Sequence, residues 1–228
     1  MRKLLIPAVA AALALAACGG DDDGGSSSDA ATTTVAGAAS PTTTLAPVAP
    51  TTYEGEGDAT ITVDLPIPGS PAAATITNTV AGPFVVDALN AGGDVTVNLV
   101  DRIGTYEGTV PIDANTAQEK TAGLQIHAPG PWKVVFNALR ALPVLTTGAR
   151  SGTSDDAFLY IGPAQTGGFT FQGQGTAVLI AYPSISGGFP DTLASLDGAS
   201  DTPANVQLPG AALIQVTAEG PWELQATA

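Results

Sequence analysis

One histidine and one cysteine occur in the 228 residues, His127 and Cys18, and that scarcity bounds the chemistry the chain can do. Serine hydrolysis needs a nucleophile on a Gly-x-Ser-x-Gly elbow and a histidine base; the chain has no such elbow. His127 follows Ile126 in an alternating run, which predicts a solvent-facing strand position for it. Zinc and copper sites draw on several imidazoles or thiolates, so neither is expected, nor is any other cofactor. Calcium would use the oxygens of Asp155, Asp156, Asp191, Asp197 and Asp201, which fall in expected loops, but no Asp-x-Asp-x-Asp-Gly loop arranges them. Their expected role is solubilising charge. A carboxylate pair for glycoside hydrolysis depends on a separation that only the fold sets. Gly167-Gly168 and Gly187-Gly188 lie between strand-like runs and are expected as turns, because a phosphate cradle needs a helix N-terminus behind it. Trp132 and Trp222 could stack on sugars, but both sit on an apolar alternating face, which predicts core packing.

The elements that carry these residues begin with an export segment. Met1-Arg2-Lys3 is a charged start, Leu4 to Ala17 an apolar run, and Cys18-Gly19-Gly20-Asp21 ends it. This is the layout of a secretory signal, short of the roughly 20 apolar residues that a membrane span needs. Its exit, Leu15-Ala16-Ala17-Cys18, resembles the lipobox of bacterial lipoproteins. The resemblance implies cleavage by a dedicated signal peptidase that recognises Leu15, Ala16 and Ala17, and lipid on the Cys18 thiol. Two or three acyl chains hold a protein at a membrane, where one would not. Residues 1–17 are therefore expected as a signal peptide and the mature protein as lipid-anchored on the extracytoplasmic face of the cell membrane. With its one cysteine lipidated, the exported part has none left for a disulfide.

Removing Arg2 and Lys3 leaves five basic residues against 21 acidic ones, a charge of −16. Such a surface repels phosphate backbones, so nucleic acid is not an expected partner. Residues 18–52 are rich in Gly, Thr, Ser and Pro and poor in large aliphatics. They cannot bury enough surface to offset the entropy of ordering and are expected as a disordered stalk with a mean reach of roughly 30–35 Å.

From Tyr53 onward, short alternating runs are broken by Gly, Pro, Asn and Asp. Ile61/Val63/Leu65, Thr75-Ile76-Thr77, Phe84-Val85-Val86, Val95/Val97/Leu99, Val110/Ile112, Leu124/Ile126 and Trp132/Val134/Phe136 are the expected strands. Asn137 to Leu142 holds the best helical period in a chain that offers little of it. Leu124-Gln125-Ile126-His127-Ala128-Pro129-Gly130-Pro131-Trp132 returns ninety positions later as Ile214-Gln215-Val216-Thr217-Ala218-Glu219-Gly220-Pro221-Trp222. Upstream, Asp58-Ala59-Thr60-Ile61 resembles Asp156-Ala157-Phe158-Leu159, and Ala74-Thr75-Ile76 resembles Phe169-Thr170-Phe171. Pro129-Gly130 suits a type II turn, and alternation puts Leu124, Ile126, Ala128, Trp132, Val134 and Phe136 in one core, with Ile214, Val216, Ala218, Trp222 and Leu224 in the other.

The expected fold is all-β: two tandem antiparallel β-sandwich-like modules after the stalk, at 53–138 and 153–228, joined by a linker at 139–152. Gly55-Glu56-Gly57-Asp58, Ile103-Gly104-Thr105-Tyr106-Glu107-Gly108-Thr109-Val110 and the Gly130-Pro131-Trp132 hairpin together resemble small all-β modules appended to secreted bacterial proteins. That resemblance implies a fold and no particular activity. In the second copy Asp197-Gly198 stands where the Ile-Gly-x-Tyr segment would be. The expected function is that of a lipid-anchored envelope protein whose modules bind or organise a cell-wall glycan or envelope protein without catalysis. The alternatives are an envelope hydrolase acting on glycan and a solute-binding lipoprotein.

Overall fold

The computed structural model describes residues 47–184 and 187–226. The signal peptide, Leu15, Ala16, Ala17, Cys18 and the stalk up to residue 46 lie outside the described residues. In the first module eight strands form two sheets: β1 (Thr51–Glu56), β2 (Ala59–Thr62), β3 (Ala72–Asn78), β4 (Pro83–Leu89), β5 (Val95–Ile103), β6 (Tyr106–Ile112), β7 (Gly123–His127) and β8 (Pro131–Ala138). One sheet has the order β1-β8-β3-β6 and the other β2-β7-β4-β5, with every pairing antiparallel. Eight strands divided between two sheets, alternating except for the β4–β5 hairpin and with the first beside the last, make a double-sheet jelly roll.

The second module repeats that order with one addition. Its strands are β9 (Val144–Leu145), β10 (Gly148–Gly152), β11 (Asp156–Tyr160), β12 (Ala164–Phe171), β13 (Thr176–Tyr182), β14 (Asp191–Asp197), β15 (Ser200–Pro209), β16 (Ala212–Thr217) and β17 (Trp222–Ala226). They form the sheets β10-β17-β12-β15 and β14-β13-β16-β11-β9. Adding nine to each strand number of the first module reproduces the second, and β9 is an extra edge strand, parallel to β11. The internal repeat read in the sequence is therefore a repeat of topology.

Alternation fills each sandwich from both sheets, as the period-two strands require. Ile76, Phe84, Val86, Leu124, Ile126, Trp132, Val134 and Phe136 are buried in the first core. Phe158, Phe169, Phe171, Leu179, Ile214, Val216, Trp222 and Leu224 are buried in the second. A third cluster, of Ala73, Ala114, Leu139, Leu142, Ala157, Leu159, Tyr182 and Leu213, is buried between the two sandwiches. It forms because β11 and β16 are apolar on both faces: Ala157-Phe158-Leu159-Tyr160 and Ala212-Leu213-Ile214 are unbroken buried runs. Unbroken runs mark strands covered on both sides. The described residues cluster as one compact unit.

Several boundaries differ from the sequence reading. Thr51 and Thr52, assigned to the stalk, pair with Phe136 and Val135 in β1. The assigned linker 139–152 carries β9 and β10, which belong to the second sandwich; its Gly148-Ala149-Arg150-Ser151-Gly152 has no large apolar residue to betray a strand. Asn137 and Ala138 continue β8, and the helical period shrinks to one 3₁₀ turn, Leu139–Ala141. Gly167-Gly168 lies inside β12, where a Cβ on Gly167 would stand 2.6 Å from the Gln225 carbonyl oxygen. Gly130 does not take the positive φ of a type II turn; it is small because a Cβ would meet Val80 Cγ2 at 2.6 Å. Asp191 and Asp197 begin and end β14 and Asp201 lies in β15, all three in strands.

Candidate functional site

Each module opens with a glycine under a tryptophan. Gly55 pairs with Trp132 and Gly152 with Trp222, and a Cβ would stand 2.3 Å and 2.7 Å from the respective Cζ2 atoms. The indole then reaches back over the chain: Trp132 Nε1 donates to the Gly57 carbonyl at 3.0 Å, and Trp222 Nε1 to the Ser154 carbonyl at 2.8 Å. Both rings are buried, at 5% and 3% exposure. They are core residues, as their alternation predicts, and not exposed sugar platforms.

One residue further, each module places an aspartate. Asp58 Oδ1 accepts from the Ala128 backbone N–H at 3.2 Å, and Asp155 Oδ1 from the Ala218 N–H at 2.8 Å. The true counterpart of Asp58 is thus Asp155, not Asp156, and Gly55-x-x-Asp58 returns as Gly152-x-x-Asp155. The structural equivalence of the two copies is offset from their chain similarity by one residue at the Asp155-Asp156 doublet, and by two in β3 and β12, where Ile76 pairs with Val134 as Phe169 pairs with Leu224.

The two aspartates now do different things. Asp58 is exposed and pairs with His127 Nδ1 at 2.8 Å, both side chains about two-thirds in solvent. Asp155 is 3% exposed and faces the first module: Arg102 Nη2 donates to Oδ1 at 3.0 Å and the Tyr106 hydroxyl to Oδ2 at 2.8 Å. Its carbonyl also accepts from the Thr109 N–H on edge strand β6, at 3.0 Å. Burial, the adjacent carboxylate and its hydrogen bond raise the Tyr106 phenol far above its ordinary value, opposed by Arg102. The phenol is therefore a fixed donor and not a base. This explains the Ile103-Gly104-Thr105-Tyr106 segment, which only the first module has: it supplies the ring that receives Asp155. Asp156 is occupied as well, by Arg150 Nε at 2.7 Å, and the Arg150 guanidinium lies 4.9 Å from the Phe158 ring centroid.

On the second side of the seam, Gly188 N–H donates to the Ala114 carbonyl at 2.8 Å. Gly187 has φ +92° and a Cβ there would lie 2.4 Å from the same oxygen. That turn was expected, but its docking on the first module is a tertiary fact. Among the described residues no three of His, Cys, Asp or Glu converge as metal ligands.

Over the Asp155 lock, three open depressions meet at Thr153. One of about 390 Å³ is lined by Ser151, Thr153, Thr170, Gln172 and Glu223 above Trp222. A second, about 290 Å³, is bounded by Thr75, Glu107 and Thr109, and a third, about 250 Å³, by Arg102, Ile103, Glu107 and Glu219. Thr75, Thr109, Ser151, Thr153 and Thr170 bring hydroxyls and Glu107, Glu219 and Glu223 carboxylates, beside the apolar Trp222, Pro221 and Ile103, with Arg102 held by Asp155. Such a surface can hydrogen-bond a polar ligand or hold a cation. The side chains of the lock itself are matched donor to acceptor.

No protein-family model matches the chain, and no curated protein matches it. Among solved structures, the chain is similar to a conserved protein of unknown function, PA5104 from Pseudomonas aeruginosa PAO1, at 12% identity over 78% of this chain and 79% of that one, with a TM-score of 0.23. It is also similar to a regulatory subunit of a cAMP-independent protein kinase A from Trypanosoma cruzi bound to guanosine, at 7% identity over 74% and 71%, with a TM-score of 0.22. Superpositions this loose carry nothing about activity.

Proposed function

We propose that this is a lipid-anchored protein of the cell envelope whose two fused jelly rolls bind an envelope component without catalysis. The observation that carries the reading is Cys18, the chain's only cysteine, at the exit of the export segment behind Leu15-Ala16-Ala17. Fusion of the modules through Asp155 and the third apolar cluster supports it, because the two sandwiches then present one continuous surface, and tethering raises the local concentration of that surface near wall and membrane, so weak contacts become useful. The seam around Thr153 is the surface offered for such contacts.

Two experiments test this. Full-length protein and its Cys18→Ser variant, expressed in a lipoprotein-processing bacterium, are partitioned between detergent and water. The parent enters the detergent phase and the variant does not; equal partitioning would show that the apolar run, not a lipid, is the anchor. The purified lipoprotein is then incubated with cell-wall and membrane-protein fractions and screened against ester, glycoside and phosphate substrates. Retention by a fraction without turnover is expected. Turnover that survives repurification and is lost on changing one acidic residue would overturn the non-catalytic reading.

A further inference from the structure

Duplication supplies an internal control for the depression over Trp222. On the outer face of the first module, Glu54 of β1, Lys133 of β8 and Thr77 of β3 stand side by side, and Lys133 Nζ bridges to Glu54 Oε1 at 2.7 Å. The equivalent positions in the second module are Ser151 of β10, Glu223 of β17 and Thr170 of β12. The threonine is kept, but the ion pair is gone. A hydroxyl replaces the acid, and an acid replaces the lysine. In the second module no such bridge crosses the face, and a groove of about 390 Å³ lies there over Trp222. Glu223 is exposed and has no cation partner among the described residues, since the nearby Arg150 points inward to Asp156.

We propose that this groove binds an oligosaccharide carrying a free ammonium group, an amino sugar that is not N-acylated. The inference rests on the envelope-binding reading and specifies its ligand. Ser151, Thr153 and Thr170 each both donate and accept hydrogen bonds, which suits the vicinal hydroxyls of a sugar. Gln172 commits its Nε2 to the Ser200 carbonyl and Asp201 Oδ1, which leaves Oε1 as an acceptor. Glu223 is the one charge in the lining, and an ammonium ion is its complement. The volume lies within the range of small-ligand sites, about 300–1,000 Å³. The groove is lined by side chains of β10, β17 and β12, whereas an extended peptide adding as a strand would use the backbone of the edge strand β10 alone.

The test is calorimetric titration of the full-length lipoprotein, in detergent, with a hexamer of glucosamine, its fully N-acetylated counterpart and a lysine hexapeptide. The free-amine hexamer binds, and more weakly as salt is raised. N-acetylation and Glu223→Gln each weaken binding by about tenfold or more, the scale of one charge-assisted hydrogen bond. Ser151→Glu combined with Glu223→Lys, which installs the first module's ion pair, abolishes it while thermal unfolding stays that of the parent. Unchanged binding by the Glu223→Gln protein would overturn the proposal. So would a lysine hexapeptide that binds as well and responds to the same variants, which would assign the groove to a basic protein segment. Failure of the glucosamine hexamer while cell-wall fractions still retain the protein overturns this ligand alone; failure of every fraction removes the envelope-binding reading with it.

Discussion

Asp155→Ala should destabilise the protein far more than the equivalent Asp58→Ala, although both residues cap the same backbone N–H in their modules. Removing the Asp155 carboxylate strands three donors: the Ala218 N–H, the Tyr106 hydroxyl and Arg102. Deleting one partner of a buried ion pair costs about 3–5 kcal/mol. Arg102 is 24% exposed and can turn to water, so the lower end applies, about 3 kcal/mol, most of it the unsatisfied amide and phenol. Asp155→Asn keeps the oxygen that the Ala218 N–H and Arg102 share but loses the acceptor of the Tyr106 hydroxyl, and should cost about half as much. Asp58 lies in solvent with His127, and its loss should cost no more than about 0.5–1 kcal/mol. The assay is urea unfolding followed by tryptophan fluorescence, run on the parent, Asp58→Ala, Asp155→Asn and Asp155→Ala. Equal midpoints for the two alanine variants would refute the seam's role, because they would mean that only the shared backbone cap matters.

The phenol gives a pH signature. The folded state holds the Tyr106 proton beyond the pH at which an unfolded tyrosine releases it, near 10. Its stabilisation is therefore complete below about pH 10 and is lost progressively as pH rises above that; Tyr106→Phe should flatten this loss in alkaline unfolding curves, and an unchanged slope would place the ring in water. Gly55→Ala and Gly152→Ala push a methyl into the facing indole and should each cost about 1–3 kcal/mol, read as a drop in melting temperature. Trp132→Ala and Trp222→Ala should each cost about 3–5 kcal/mol and expose their sandwich cores to a dye that binds apolar surface; native stability in both would contradict the observed burial.

The strands of the two sandwiches were legible because each buries one face, and a one-sided strand writes its burial as alternation. Trp132, Val134 and Phe136 announce their core, as do Trp222 and Leu224. β10 was not legible, since Gly148, Ala149, Arg150, Ser151 and Gly152 owe their pairing to β17 and to the tryptophan above Gly152. Asp155 was read as loop charge, for nothing local distinguishes it from Asp156. The clue available was spacing: Gly152-x-x-Asp155 matches Gly55-x-x-Asp58, but the glycine-aspartate interval carries meaning only once the ring over the glycine and the capped N–H are known.

By itself the sequence determined the all-β class, the duplication and most of both cores, because those are written in residues adjacent in the chain or repeated at a fixed interval. Only the tertiary structure decided what the duplicated positions do. Whether an aspartate caps a strand in solvent or locks two modules together depends on the surface opposite it, here Arg102 and Tyr106, 53 and 49 residues away. Whether a sheet face carries an ion pair or an acid without a cation depends on cross-strand neighbours that register brings together. Both are long-range juxtapositions, and alternation along a strand records which way a side chain points but not what it meets.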